Sequence, residues 1–189
     1  KVCYEMERVG VKIDSEYCVK AAVYEEFRME KAAQDFLTIS GIPFTDSNVV
    51  LAKAFEAAQE VYPLTEKGNP SFEGEVLKTF KSPLAKKVLE YRDAKSRANF
   101  YNGFLYFADL NGCIHPNMRQ AGTTTGRFSY SDPNLQNLTE ESESSQEFKI
   151  RKALIPREDF CWVSIDYDQL EYRLMLDYAG EDELIAKVK

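Results

Sequence analysis

Histidine is almost missing from this chain: His115 is the only one in 189 residues. A single imidazole excludes His-rich metal sites and makes a Ser-His or Cys-His hydrolase an unattractive reading, so His115 reads as a loop residue before Pro116. Cysteine is sparse and scattered. Cys3, Cys18, Cys113 and Cys161 form no CxxC pair and no metal-ligand spacing, and a reduced cytoplasmic setting fits best. No apolar stretch approaches a membrane span and no basic-then-apolar leader is present, so nothing directs the chain out of the cell. No internal repeat occurs.

Positive charge is also in deficit. A net charge of −7 and a pI of about 4.9 argue at first against nucleic acid, but distribution matters more than the sum. From Lys78 to Arg97 the residues Lys78, Lys81, Lys86, Lys87, Arg92, Lys95 and Arg97 face only Glu90 and Asp93, a local +5. A field of that sign can track phosphates; the competing reading is a solvated helix face. TEESESSQE, Thr139 to Glu147, has four acids and no base and reads as a solvent loop.

Asp14 or Ser15 can cap a helix running to about Ser40, where Gly41 and Pro43 stop it. Val50, Leu51, Ala54, Phe55 and Ala58 form a second helical stripe, read as core packing. Pro63, Gly68, Asn69 and Pro70 mark a loop, and a short helix is expected around Phe72 to Phe80. A long helix should begin near Pro83, with apolar Leu84, Val88, Tyr91, Ala98, Tyr101 and Leu105. After Asn111-Gly112 helical periodicity ends. Thr123 to Thr125, between Gly122 and Gly126, favour hairpin strands through about Ser129, and Lys152 to Ile155 can add another strand.

Two strings bear the chemistry. In the second, Asp166 to Arg173 (DYDQLEYR), the apolar run Cys161, Trp162, Val163 and Ile165 reads as a buried strand ending in Asp166, and Leu170, Leu174 and Tyr178 give a helix with one apolar stripe. A carboxylate at such a strand tip can ligate Mg²⁺, which prefers oxygen ligands. Alone, strand-acid-helix reads more simply as a helix N-cap. The first string, GRFSYSDPNLQN, places Arg127 39 residues before Asp166. Its Ser-Asp-Pro-Asn run is a turn signal, and Arg127, Gln136 and Asn137 can donate to minor-groove acceptors without needing a particular base.

Together the two strings resemble the first half of the active site in family A (DNA polymerase I-like) DNA polymerases. MERVGVKID, Met6 to Asp14, is similar to the segment preceding the thumb in that family, and YRDAKSRANFY, Tyr91 to Tyr101, sits where its long thumb-to-palm helix lies. The resemblance spans nearly the whole chain. It implies an α+β fold, a helical thumb followed by part of an antiparallel-sheet palm: residues 1–14 enter at the palm base, 15–97 are the thumb, and 98–189 are a partial palm ending in the helix after the metal-binding strand. It also implies template-directed DNA synthesis in a complete enzyme using primer-template DNA, deoxynucleoside triphosphates and two Mg²⁺ ions.

The resemblance assigns residues. Asp166 is the catalytic metal ligand, with the Tyr167 backbone carbonyl beside it, and Glu171 is the steric gate against a 2′-hydroxyl, although a first-turn acid also simply favours the helix dipole. Arg127, Asn134, Gln136, Asn137 and Arg151 are the implied DNA contacts, and the local positive charge adds Lys95 and Arg97. Two positions depart from the family pattern: Asp168 adds a carboxylate where a small residue is usual, and Leu138 leads into acid rather than Pro and a basic residue. The ends, Lys1 without an initiator Met and the charged, helix-forming EDELIAKVK, look cut. The family's fingers helix and second palm Asp lie downstream of DYDQLEYR, so the 189-residue chain alone is expected not to polymerise. Competing readings are a non-catalytic duplex-DNA-binding module, an inert scaffold of inherited shape, and, disfavoured by Glu171, a single-subunit RNA polymerase.

Overall fold

A computed structural model describes residues 1–138 and 147–187, which leaves most of the acidic run 139–147 outside the described residues. Two compact units are present, Lys1–Ile155 and Pro156–Lys189.

The first unit is organised by two long helices, each set by its caps. α2, Ser15–Ser40, starts where Asp14 accepts the Tyr17 N–H at 2.9 Å and stops at Gly41, whose φ of 70° lets its N–H close on Leu37 O. α5, Pro83–Phe107, starts where Ser82 Oγ accepts the Ala85 N–H at 3.0 Å, with Pro83 in the first turn. Between them lie α3, Asn48–Ala57, and the short α4, Gly74–Thr79.

Burial separates this unit into two cores. One gathers Phe36 from the end of α2, Leu51, Ala54 and Phe55 from α3, Phe72, Leu77 from α4, and Leu84 and Val88 from the start of α5. The other gathers Cys18, Ala21 and Ala22 from the start of α2 with Tyr101 and Phe104 from the end of α5, together with Ile13, Ile114, Ile150 and Ala153. The two helices therefore run antiparallel and serve both cores. The change from one core to the other falls inside one continuous helix, between Val88 and Tyr101. Burying a Phe or Leu side chain contributes about 1.5–3 kcal/mol, against about 0–1 for an exposed ion pair such as Lys78–Glu75. Apolar contact holds the bundle.

The second core is floored by a small antiparallel sheet. β1, Val11–Ile13, lies between β2, Cys113–Ile114, and β5, Leu154–Ile155, with Lys12 opposite both Cys113 and Ile155. Ahead of β1 the chain forms a helix that the sequence reading did not anticipate, α1, Val2–Val9, which buries no residue. Polar contacts fasten it: Glu7 accepts the Met118 N–H at 2.6 Å, and His115 Nδ1–H donates to Glu7 O at 2.7 Å. At Gly10, φ 67°, an added Cβ would lie 2.7 Å from both the His115 ring and Ile114 O, so this junction requires glycine.

β3, Asn117–Arg119, and β4, Ser129–Ser131, form the expected hairpin, Met118 opposite Tyr130. Thr123 to Thr125, expected in strand, lie in its connecting loop. Thr123 Oγ1 accepts the Arg127 N–H at 3.0 Å and donates back to Arg127 O, while Gly126 N–H bonds Thr123 O. That local bonding outcompetes extended pairing. Ile150–Ala153 form a 3-10 turn, and β5 covers only the last two residues of the strand expected from Lys152.

In the second unit the strand expected over Cys161–Ile165 is absent. Residues 161–167 are irregular, with Trp162 57%, Val163 71% and Ile165 84% exposed. A strand exists only where a neighbour completes its hydrogen bonds, and none among the described residues pairs with this run. α6, Leu170–Ala179, forms as the Leu170, Leu174 and Tyr178 spacing predicts and ends at Gly180, φ 71°; α7, Asp182–Ile185, follows.

Candidate nucleic-acid interface and metal-ligand segment

The SDPNLQN run turns polar side chains outward by packing the leucines around them, partly buried, against the second core. Leu135 and Leu138 pack against the second core, which leaves Asn134, Gln136 and Asn137 exposed. Asn134 Oδ1 accepts the Gln136 N–H at 3.0 Å, capping the 3-10 turn Leu135–Asn137, and its Nδ2 donors face no partner among the described residues. Gln136 Nε2 donates one hydrogen to Phe128 O at 3.0 Å, so only its second hydrogen remains for an external acceptor. Arg127 is exposed just before β4, its backbone held by Thr123. Arg151 is exposed in the same way, because its neighbours Ile150 and Ala153 are buried.

The basic stretch is less basic in space than in sequence. Lys78 pairs with Glu75 at 2.6 Å, Lys87 with Asp35 at 2.9 Å and with Glu90, and Arg92 with Asp46 at 2.6 Å. Lys81, Lys86 and Lys95 are exposed, with no ion pair among the described residues.

Arg97 is the clear correction. Its side chain is 3% exposed, its Nε–H donates to the fully buried Glu25 at 2.7 Å, and its Nη2 bonds Tyr101 Oη and Phe148 O. Glu25 also receives Arg28 at 2.6 Å, and Arg28 reaches Asp93 at 3.2 Å. This network ties α2 to α5 and leaves no guanidinium for phosphate. Arg97 was placed at the interface by counting charge along the chain. The spacing Ala94, Ala98, Tyr101 already put it on the buried stripe, and Cys18, Ala21, Ala22 did the same for Glu25, which the sequence reading passed over.

Asp166, Tyr167, Asp168 and Glu171 are all exposed in the second unit. Neither Asp caps α6: the N-cap is Gln169, φ 52°, without a side-chain bond. Arg173 Nε instead donates to Asp168 O at 2.8 Å, bracing the helix start. The carboxylates of Asp166 and Asp168 have no hydrogen-bonding partner among the described residues.

A family model described as DNA polymerase family A matches residues 20–189. The chain belongs to DNA polymerase family A. Among its relatives is the thermostable DNA polymerase I of Thermus thermophilus, 30% identical over 193 residues that cover 98% of this chain and 23% of that protein. The corresponding Thermus aquaticus protein is also 30% identical, over 97% of this chain and 23% of its own length. DNA polymerase I of Lactococcus lactis subsp. lactis is 38% identical over 109 residues, 57% of this chain and 12% of that protein. The chain thus spans about a quarter or less of these relatives. In fold it is similar to the POL domain of Pol1 from M. smegmatis, solved in complex with DNA primer-template and dNTP: TM-score 0.76, 23% identity, 92% of this chain and 32% of that one. The expected mixed fold, helices with small antiparallel sheets, is therefore that of a family A polymerase domain.

Family A polymerases are metal-dependent. The donors present, one exposed carboxylate and an adjacent carbonyl, suit a hard cation, but no group of three or more His, Cys, Asp or Glu residues among the described residues forms a metal set. They fit one contribution to a shared site and not a complete one. Among the described residues no helix is long and apolar enough to cross a membrane.

Proposed function

We propose that this chain is the part of a family A DNA polymerase that grips primer-template duplex and lends one carboxylate to the metal site, in an enzyme catalysing deoxynucleotidyl transfer to a primer 3′ end. The carrying observation is the 134–138 turn, whose partly buried leucines pack on the second core and hold amide donors at the surface, suited to the acceptor-rich minor groove. Arg127, Asn134, Gln136, Asn137, Arg151 and Lys95 are the proposed DNA contacts, the cations for phosphate and the amides for base edges. Residues 15–97 act as thumb and residues 98–189, after the lead-in 1–14, as part of the palm.

Asp166 and the Tyr167 carbonyl are the proposed ligands for Mg²⁺, two ions being held in the complete site with further carboxylates. Magnesium supplies charge neutralisation at the transferring phosphate. Glu171 is the steric gate that selects deoxynucleoside triphosphates by packing against the sugar. The named relatives are bacterial, and a bacterial or phage-infected cytoplasm is the proposed setting.

Three measurements test this. Duplex binding by the 189-residue chain should weaken steeply with salt, as phosphate contacts require; absent or salt-insensitive binding overturns the grip. In a primer-extension assay the chain alone should give no product, and template-directed extension above background would refute that. Placed in a full-length family A polymerase, the segment should support synthesis that Asp166→Ala lowers by about 10³-fold. Unchanged synthesis removes the metal assignment and leaves a non-catalytic duplex-binding module.

A further inference from the structure

We propose that the cavity between α5 and residues 130–134 is a binding pocket for an unpaired nucleobase; where that base belongs to a DNA strand, the inference rests on the polymerase reading above. The cavity measures about 500 Å³ and lies entirely within the first unit, inside the roughly 300–1,000 Å³ span of small-ligand sites.

Gly103 is the first argument. It sits inside α5, has an ordinary helical backbone, and an added Cβ would meet nothing within 4 Å. Neither packing nor φ requires glycine there, yet it costs the helix about 1 kcal/mol relative to alanine. Gly103 leaves that wall of the cavity without a side chain.

The lining specifies the occupant. Phe107 and Tyr130 offer aromatic faces, and the Asn99 amide and Asn134 Nδ2 have no hydrogen-bond partner among the described residues. Ser131, also in the wall, has a buried hydroxyl with no partner. A flat ring with donors and acceptors on its edge satisfies both demands, stacking on the aromatics and pairing with the amides. A purely apolar ligand would leave the buried Ser131 hydroxyl unpaired, at about 1–3 kcal/mol. Charge excludes phosphate, because no Lys, Arg or His lines the cavity and its one charged residue is Asp132. The ligand enters base first, with its phosphate outside.

The base comes either from a free nucleoside or from a strand with a looped-out nucleotide, and four probes distinguish these for the 189-residue chain. Deoxyguanosine and deoxyribose 5-phosphate are titrated separately by NMR; a duplex with one looped-out base and the same duplex fully paired are compared by anisotropy. Saturable shifts at 99–107 with deoxyguanosine and none with the sugar phosphate support the pocket, as does tighter binding of the looped-out duplex. The first result identifies the free nucleoside as a source, the second the strand. Gly103→Leu fills the cavity and should weaken the responding probe at least tenfold, far more than it weakens paired-duplex binding, whose proposed contacts share only Asn134 with the cavity wall. Asn99→Ala, an exposed helix position, should weaken it with the fold intact by circular dichroism. No response to either base probe, or equal response in both variants, overturns the proposal. Loss of paired-duplex binding by the wild-type chain refutes the polymerase reading instead, and the deoxyguanosine arm still judges the pocket.

Discussion

Removing Glu25 would strand the Arg97 guanidinium, 3% exposed, without its carboxylate. Breaking a buried pair from one side typically costs about 3–5 kcal/mol, so Glu25→Ala should lower unfolding stability by that order in urea, and Glu25→Gln by less. Lys95→Ala, two residues from Arg97 but exposed, should leave the urea midpoint unchanged and reduce only the salt slope of duplex binding. The thiols divide in the same way. Burial, aided by the Asp14 charge, pushes the Cys18 thiol up to about 11, so it stays protonated at neutral pH and should resist iodoacetamide in the native protein, while exposed Cys161 is alkylated first. Asp109 is held below the ordinary carboxylate range, chiefly by the Cys113 N–H and also by His115 and Asn111. Its contribution is complete above the unfolded value and lost as pH falls through the depressed folded one. The acid limb of a pH–stability curve should therefore flatten in Asp109→Asn.

At the scale of elements, what was legible was what is locally determined. Asp14, Gly41 and Pro83 announce both long helices because a cap acts within one turn of itself. Asp14→Ala should cost about 1 kcal/mol, read as a lower Tm with the helical spectrum retained. Elements that depend on distant partners misled. The run 161–165 has strand composition, but its hydrogen bonds need a neighbour that composition does not supply. Thr123 to Thr125 misled for the opposite reason: they have strand propensity, but a local bond between the Thr123 hydroxyl and Arg127's backbone closes the loop. At the candidate site, the donor chemistry of Gln136 and Asn137 was legible in the sequence, and these residues and Asn134 are exposed. The occlusion of Arg97 turned on Glu25, 72 residues away, a proximity that charge counting cannot anticipate.

For the whole molecule, two cores share two helices, and stability should follow that division. Amides of α2 and α5 near Phe36, Val88, Ala22 and Tyr101, whose side chains are at most 5% exposed, should exchange slowest with deuterium, while residues 156–169, which form no helix or strand, exchange early. Early protection of 161–165 in the isolated chain would contradict the irregular segment described for it. Since α2 and α5 pass unbroken from one core to the other and the Glu25–Arg97 bridge locks them near mid-length, the pair behaves as a stiff beam. A substitution that loosens the packing around Phe55 should therefore be felt at the other end of the pair, as faster amide exchange in β1 and β2 beside Tyr101.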